Sequence, residues 1–509
     1  MKKIALIDLG SNSIRFVVVQ INENGTYKLL FQEKESIRLG EGLSERNELT
    51  EAAIGRAMSC LRVYAHMAHV MKVETCIAVA TAAVRNAKNG LQFVDQVHHE
   101  VGFDLKIISG KEEARLGYLG VISTIDLNDF ILFDLGGASI EISLIRNRKQ
   151  IESVSIPIGA VTLTERFRLQ NIITPVLLEK TTAYITKKLQ CYPWLKNVSL
   201  PVVGIGGTVR NLAKIDQRTK PYDWSKIHGY QLTTPRLGDI FTTIASKNMA
   251  NRKKIAGLSG ERADIIVAGT AIIKELLALI GARTLVVSGC GLREGLFYDY
   301  YGTHYLDGQV IIPNILRHST MNFLYSLDNM DLDHLDQVTK VSMDLYDQLH
   351  TLHGYGKQER RLLKTAASLH DIGKIINYYD HARHSAYMIS SAPIYGLSQI
   401  ELLMTSFIAG YHHGISSKIY RTYKYAQMPT PEEWNVIRRL ATLLAIGEAL
   451  DVTYEHIVDH LKVAISESTI TIALTTPPNT NYTAADYAVK EFSKQFKKEF
   501  GRSLTIIWQ

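Results

Sequence analysis

Lys3–Gly10, KIALIDLG, and Phe130–Gly137, FILFDLGG, are two versions of one phrase. Each is an apolar run of strand character that ends in Asp-Leu-Gly and opens into small polar residues. The first continues as Ser11-Asn12-Ser13 and then IRFVVVQI; the second continues as Ala138-Ser139 and then IEISLI. Asp8 and Asp134 lie 126 residues apart, a domain-sized period rather than that of a solenoid. The pattern predicts an α/β chain built as two related halves that face each other across a cleft. Each half goes on with alternating helical and strand-like segments, among them TEAAIGRAMSCLRVYAHMA, ETCIAVAT and DLKIIS in the first. In the second, LPVVGIGGT and ARTLVVSGCG end in glycine turns at the carboxyl ends of strands, where α/β folds place ligands.

Five loops share one chemistry: Gly10–Ser13, Gly136–Ser139, Gly204–Thr208, Gly269-Thr270 and Ser288–Gly291. Glycine lets backbone N–H groups close on an anion, and Ser, Thr and Asn add donors. The last three run into helical patterns, so helix N-termini are expected to face the same anion. One such loop alone reads as a tight turn; two that follow matched strands with an Asp in front read as a phosphate site. Asp8 and Asp134 then either cap their turns or hold Mg²⁺, which prefers oxygen ligands and keeps several waters. Glu141 sits between Ile140 and Ile142, so its side chain faces either solvent or the cleft beside Asp134. Ser109 and Glu112 have capping-box spacing, which gives Glu112 a structural task and leaves Glu113 without one. A carboxylate in a first helical turn beside a phosphate cleft suits a general base for an attacking water. Arg85 is either exposed or a ligand for phosphoryl oxygens.

At 509 residues the chain is long enough for roughly two to four domains. Its composition, 46% hydrophobic and 21% charged, excludes disordered, collagen-like and disulfide-scaffold classes. Lys and Arg exceed Asp and Glu by 57 to 50, a +7 excess that favours a polyanion without naming one. Asp8 interrupts the first apolar run before a signal-peptide core forms, and no apolar stretch approaches the roughly 18 residues of a membrane span. Cys60, Cys76, Cys191 and Cys290 form no CxxC and read as buried thiols. A cytoplasmic setting is expected. After about residue 303 strand patterns thin out, and helical patterns rich in His and Tyr run to about 455. The remainder, from KVAISESTITIALTT to SLTIIWQ, reads as a small α/β appendix. The expected domains are therefore 1–125, 126–303, 304–458 and 459–509.

The segments DLGSNSIR (8–15), TAAVR (81–85), ISGKEEARLGYLGV (108–121), DLGGASIEISL (134–144), GIGGTVRNLA (204–213), GLSGERADIIVAG (257–269) and SGCGLREGLF (288–297) resemble the motifs of the exopolyphosphatase/guanosine pentaphosphate phosphohydrolase family, in that family's order. The resemblance spans roughly residues 4–300. It implies duplicated ribonuclease-H-like halves of the actin/sugar kinase superfamily. It also implies Glu113 as catalytic base and Arg85 on the terminal phosphate. Asp134 and Glu141 would help bind Mg²⁺, and the loop reading above adds Asp8 to them. Ser11, Asn12, Ser13, Gly136, Gly137, Ser139, Gly206, Gly207 and Thr208 would contact phosphate. Ala138 replaces a glycine usual in that family, which puts direct phosphate contact there in question.

The implied function is release of orthophosphate from inorganic polyphosphate. Guanosine pentaphosphate 5′-phosphohydrolysis is the alternative, because the motifs do not read what lies behind the terminal phosphate; guanosine tetraphosphate is a further possible ligand. A non-catalytic phosphate or alarmone sensor and an ATP-driven kinase are the readings from other classes.

Farther along, His334, His370-Asp371, His412-His413 and Asp451 fall in the order of an HD-type phosphohydrolase domain, with His381 and His384 between them. The region is either a second metal site, with its own nucleotide phosphohydrolase activity and another divalent metal, or a metal-free helical domain. Lys418–Lys424, Arg360-Arg361 and Lys364 read as solvated residues or as a path for a long polyanion. No DNA- or RNA-binding module is recognised. A homodimer is expected from the resemblance.

Overall fold

The computed structural model describes residues 1–220, 224–416 and 423–509. The chain divides into two compact units, Met1–Ile315 and Leu316–Gln509. Within the first unit, β1 (Lys2–Leu9), β2 (Ile14–Ile21), β3 (Tyr27–Glu35), β4 (Thr75–Ala80) and β5 (Leu105–Ile107) form a sheet ordered β3-β2-β1-β4-β5. The next strands are β6 (Phe130–Leu135), β7 (Ile140–Arg146), β8 (Lys149–Ile156), β9 (Val202–Ile205), β10 (Tyr230–Thr233) and β11 (Thr284–Val287), in the order β10-β11-β9-β6-β7-β8. The echo in sequence is an echo in topology. In both sheets the first three strands are antiparallel neighbours, and the founding strand then pairs in parallel with a later one, β1 with β4 and β6 with β9. Asp8 faces Arg15 across the β1–β2 pair, and Asp134 faces Glu141 across β6–β7, so the two halves carry equivalent positions with different charge.

The central strands are buried on both faces and therefore read as continuous apolar runs: Ile4 to Ile7 and Phe130 to Phe133 are at most 3% exposed. Helix α1 (Glu51–Val70) begins at Thr50, whose side chain accepts from the Ala53 amide; its Ala53, Ala57, Leu61 and Tyr64 stripe packs on the first sheet. Residues 82–86 (α2) follow β4. Helix α3 (Gly110–Ile122) starts at Ser109, α4 (Gly207–Arg218) follows β9, α5 (Ile266–Ile280) lies under the second sheet, and α6 (Leu292–Tyr305) follows β11.

The expected break at 303 falls inside α6. Chain up to Ile312 stays with the first unit because Leu292, Leu296, Tyr301 and Ile312 share one apolar cluster with Ile4 and Leu6. Gly269-Thr270 also departs from expectation: it lies inside α5, not at a helix start. Of the four cysteines only Cys290 is buried; Cys76 and Cys191 are exposed.

Helices α3 and α6 cross at backbone contact. A Cβ on Gly120 would stand 2.1 Å from the Gly291 carbonyl oxygen, and one on Gly295 would stand 1.8 Å from that of Leu116. Gly295→Ala is therefore expected to cost about 1–3 kcal/mol or more by overpacking. Gly55→Ala, on the exposed face of α1 with nothing within 4 Å, should instead gain roughly 0.5–1 kcal/mol. Denaturant midpoints of the two variants check the opposite signs.

In the second unit, α7 (Leu332–Gln348), α8 (Lys357–Leu369), α9 (His381–Ser391), α10 (Gln399–Gly410) and α11 (Pro431–Leu450) pack together. The three-stranded sheet of β12 (His460–Ile465), β13 (Thr469–Thr475) and β14 (Ser503–Trp508) belongs to the same unit. It is tied to α7 by Gln348, whose side chain donates to the Leu461 carbonyl and accepts from the Val463 amide. Among the described residues no helix is long and apolar enough to cross a membrane.

Candidate active site

The matched loops meet in the first unit. Each folds back on itself by the same bond, Gly10 N to Ser13 O at 3.1 Å and Gly136 N to Ser139 O at 2.9 Å. They approach so closely that a Cβ on Gly137 would stand 3.1 Å from Ser11 Cβ. The space between them, ≈100 Å³, is lined by Asp8, Ser11, Asn12, Ser13, Glu113, Asp134, Gly136, Gly137, Ser139, Glu141, Gly206 and Gly207. Ala138 lines it as well, within the same turn as its glycine neighbours. Gly206, at φ +112°, turns the chain out of β9 so that the first turn of α4 opens onto this space.

Four arginines border the same cleft: Arg15, Arg210, Arg262 and Arg293. Among the described residues, the Arg210 and Arg262 side chains take no hydrogen bond or ion pair. Burial and the neighbouring guanidiniums press Arg210 down to about 9; burial, then Arg15, press Arg262 to about 10. Gly207 is what admits Arg262, because a Cβ there would overlap the guanidinium at 1.9 Å. None of the four stood out in the sequence, yet each lies within six residues of a glycine turn. That spacing is the signal that could have found them.

The carboxylates lie among these cations, Asp8 and Glu141 buried, Asp134 and Glu113 half-buried. Glu141 is 3% exposed, and one of its oxygens accepts from Ser139 Oγ and Ser155 Oγ, both at 2.7 Å. Burial pushes its pKa up to about 7 and that of Asp134 to about 6. Asp8, raised by burial, is partly offset by Arg15, whose Nη1 is 3.5 Å away. Glu113 enters from the first turn of α3, where Ser109 Oγ accepts from the Glu112 amide. Burial, then the nearby Glu141 charge, raise Glu113 well above the ordinary carboxylate range, against the pull of Arg85.

Two residues expected at the phosphate take other positions. Arg85 does not line the cleft; it stands behind Glu113, donating from Nη1 to Glu113 Oε2 at 3.0 Å and to the Ile108 carbonyl at 2.7 Å. Thr208 is 1% exposed and packs against Gly269, where a Cβ would stand 2.7 Å from Thr208 Oγ1. Gly269 is thus a packing position.

An all-oxygen set of carboxylates suits a hard divalent cation. The groups of three or more ligand atoms drawn within 4.8 Å of one another, among the described residues, both lie in the second unit. The cleft carboxylates are more widely spaced, as fits a cation that keeps several waters and binds through substrate phosphate.

In the second unit, His334, His370, Asp371 and Glu448 form one of those groups and His381, His412 and His413 the other. Asp451, expected as a ligand, stands one layer back, accepting from His334 Nδ1 at 2.8 Å and from the His456 amide at 2.8 Å. Glu448, one helical turn earlier, takes the inward position. Of the basic residues proposed as a polyanion path, Arg360 pairs with Asp347 and Arg361 with Glu401. Lys418–Thr422 lie outside the described residues.

Comparison with known proteins agrees with this fold. The profile of the Ppx/GppA phosphatase family matches residues 17–304, and that of Ppx/GppA phosphatase domain III matches residues 316–483. A bifunctional 3-dehydroquinate synthase/phosphatase of Fusobacterium nucleatum is 32% identical over 297 residues, covering 56% of this chain. The chain spans only 44% of that relative's length. The crystal structure of the Ppx/GppA family member of Aquifex aeolicus is 31% identical, with TM-score 0.53, and covers 60% of this chain and 99% of its own. An exopolyphosphatase of Cytophaga hutchinsonii is 25% identical, with TM-score 0.56, and covers 59% and 98%. With its duplicated α/β halves and the family profile running across both of them, the chain belongs to the Ppx/GppA phosphatase family.

Proposed function

We propose that the cleft hydrolyses the terminal phosphoanhydride bond of inorganic polyphosphate and releases orthophosphate. The observation that carries this reading is the pairing of four arginines and two glycine loops with a half-buried carboxylate, Glu113, in a space of only ≈100 Å³. Among the described residues no aromatic side chain lines that space, so it offers a purine base no aromatic stacking surface. A chain of phosphates asks only for cations and N–H donors.

In the proposed reaction the terminal phosphoryl group lies on the Gly10–Ser13 and Gly136–Ser139 backbone and against Arg210 and Arg262. Glu113 accepts a proton from water as its oxygen bonds to phosphorus. The bridging P–O bond breaks, and the shortened polyphosphate leaves with that oxygen. Arg85 positions Glu113 by holding one carboxylate oxygen, leaving the other to the water. Asp134, Glu141 and Asp8 would hold Mg²⁺, which supplies charge neutralisation at the phosphoryl oxygens.

Purified protein assayed side by side on long-chain polyphosphate and on guanosine pentaphosphate, with Mg²⁺, is expected to show the higher kcat/KM on polyphosphate. The reverse order would move the substrate to the nucleotide while leaving the hydrolytic chemistry in place. Ligand binding without turnover of either would make the cleft a sensor.

A further inference from the structure

The second unit gathers seven metal-type ligands at the ends of five helices. His334 is in the first turn of α7, His370 and Asp371 follow α8, and His381 opens α9. His412 and His413 follow α10, and Glu448 is in the last turn of α11. Six of the seven are buried, His370 and His412 completely; His413 is the exposed one.

The ring protons decide what this cluster wants. His381 Nδ1 donates to the Tyr378 carbonyl at 2.7 Å, and His412 Nδ1 donates to that of Ala409 at 2.6 Å. With Nδ1 donating, each ring turns Nε2 inward, yet these two nitrogens are 3.1 Å apart. His413 Nε2 lies 3.0 Å from His381 Nε2, and Asp371 Oδ1 lies 3.1 Å from it. One proton joins two such atoms; four donors converging on one point ask for a cation with several coordination positions. Asp371 is 3% exposed, and its Oδ1 accepts no hydrogen bond among the described residues.

The neighbouring group has the same construction. His370 Nδ1 donates to the Ala367 carbonyl at 2.7 Å and His334 Nδ1 to Asp451, so both turn Nε2 inward toward Glu448 Oε2, at 2.8 and 3.0 Å. A buried carboxylate behind a histidine is the usual support of a metal-bound imidazole. Asp371 joins the two groups: its Oδ2 is 3.6 Å from His334 Nε2, while its Oδ1 faces His381. Lys374 Nζ and Tyr454 stand beside Oδ2. They line a cavity of ≈580 Å³ with Ser326, Asp328 and Asn329, which gives an entry path.

We propose that this unit holds a two-ion centre for divalent transition metals, bridged by Asp371. One ion lies on His334, His370 and Glu448, and the other on His381, His412 and His413. The imidazole-rich donor set selects Fe²⁺ or Zn²⁺ over Mg²⁺. It is a centre separate from the phosphate cleft.

The test is metal content of the full chain carrying Asp134→Asn, so that the cleft contributes no ion. After incubation with Zn²⁺ and desalting, two ions per chain are expected by mass spectrometric elemental analysis. His413→Ala, at the exposed ligand, should keep one ion. Asp371→Asn removes the bridging carboxylate and should weaken retention of both by at least about tenfold, no less than the loss of a group that merely supports a ligand. Circular dichroism shows whether each variant is folded. One ion or fewer per chain in the parent protein, or two ions retained by folded Asp371→Asn, overturns the two-ion centre.

Discussion

Glu113→Gln is expected to leave the protein folded and to lower phosphate release by about 10²–10⁴-fold, the usual worth of a general base. The substitution keeps size and shape. The amide oxygen still accepts from Arg85 Nη1, the bond that holds the carboxylate at 3.0 Å, and the backbone bond from the Glu113 amide to the Ser109 carbonyl is untouched. What disappears is the capacity to take a proton from water. Burial and the Glu141 charge raise the Glu113 pKa, so its carboxylate is a stronger base than an exposed one. The loss should fall on kcat, with KM for polyphosphate little changed, because the arginines and glycine loops that grip phosphate remain. Release within about threefold of wild type would remove Glu113 from the reaction.

The cleft shows how far a sequence carries such an assignment. Asp8, Asp134 and their loops were legible because each belongs to a local phrase, and the phrase occurs twice. Glu113 was legible because capping-box spacing gave Glu112 a structural task; in the structure Ser109 takes only the Glu112 amide, and the Glu112 carboxylate pairs with Arg115 instead. The four arginines were not, since they lie on four separate segments between residues 15 and 293 and acquire meaning only when the halves meet. Arg85 and Thr208 were misplaced for the same reason. Their motifs fix the backbone turn, but the packing of α3 and α5 decides which way the side chains face. Asp451 and Glu448 differ by a single helical turn, and only tertiary packing ranks the two carboxylates. The +7 net charge did not point to the cleft, whose four arginines stand among five carboxylates, Asp8, Glu113, Asp134, Glu141 and Glu294.

The buried carboxylates make the metal-free protein sensitive to pH in a definite direction. Asp134 rises from 3.8 to about 6 and Glu141 from 4.5 to about 7 on folding, chiefly through burial. Between roughly pH 4 and 7 the folded state therefore keeps protons that the unfolded chain has released. A raised carboxylate pKa favours the fold fully below the unfolded value, and the benefit is lost as pH rises through the folded value. Each group accounts for on the order of 2–3 kcal/mol across that window. A divalent cation binds the deprotonated pair, so stabilisation by Mg²⁺ should be largest above pH 7 and vanish below about pH 5. Thermal unfolding of the first unit, followed from pH 4.5 to 8.5 in EDTA and in Mg²⁺, reads both trends. Asp134→Asn supplies the control: in EDTA it should match wild type at the acid end, exceed it at pH 8, and gain little from Mg²⁺. Parallel curves for wild type and Asp134→Asn would show that Asp134 carries no buried charge, and the proposed cation site would lose its central ligand.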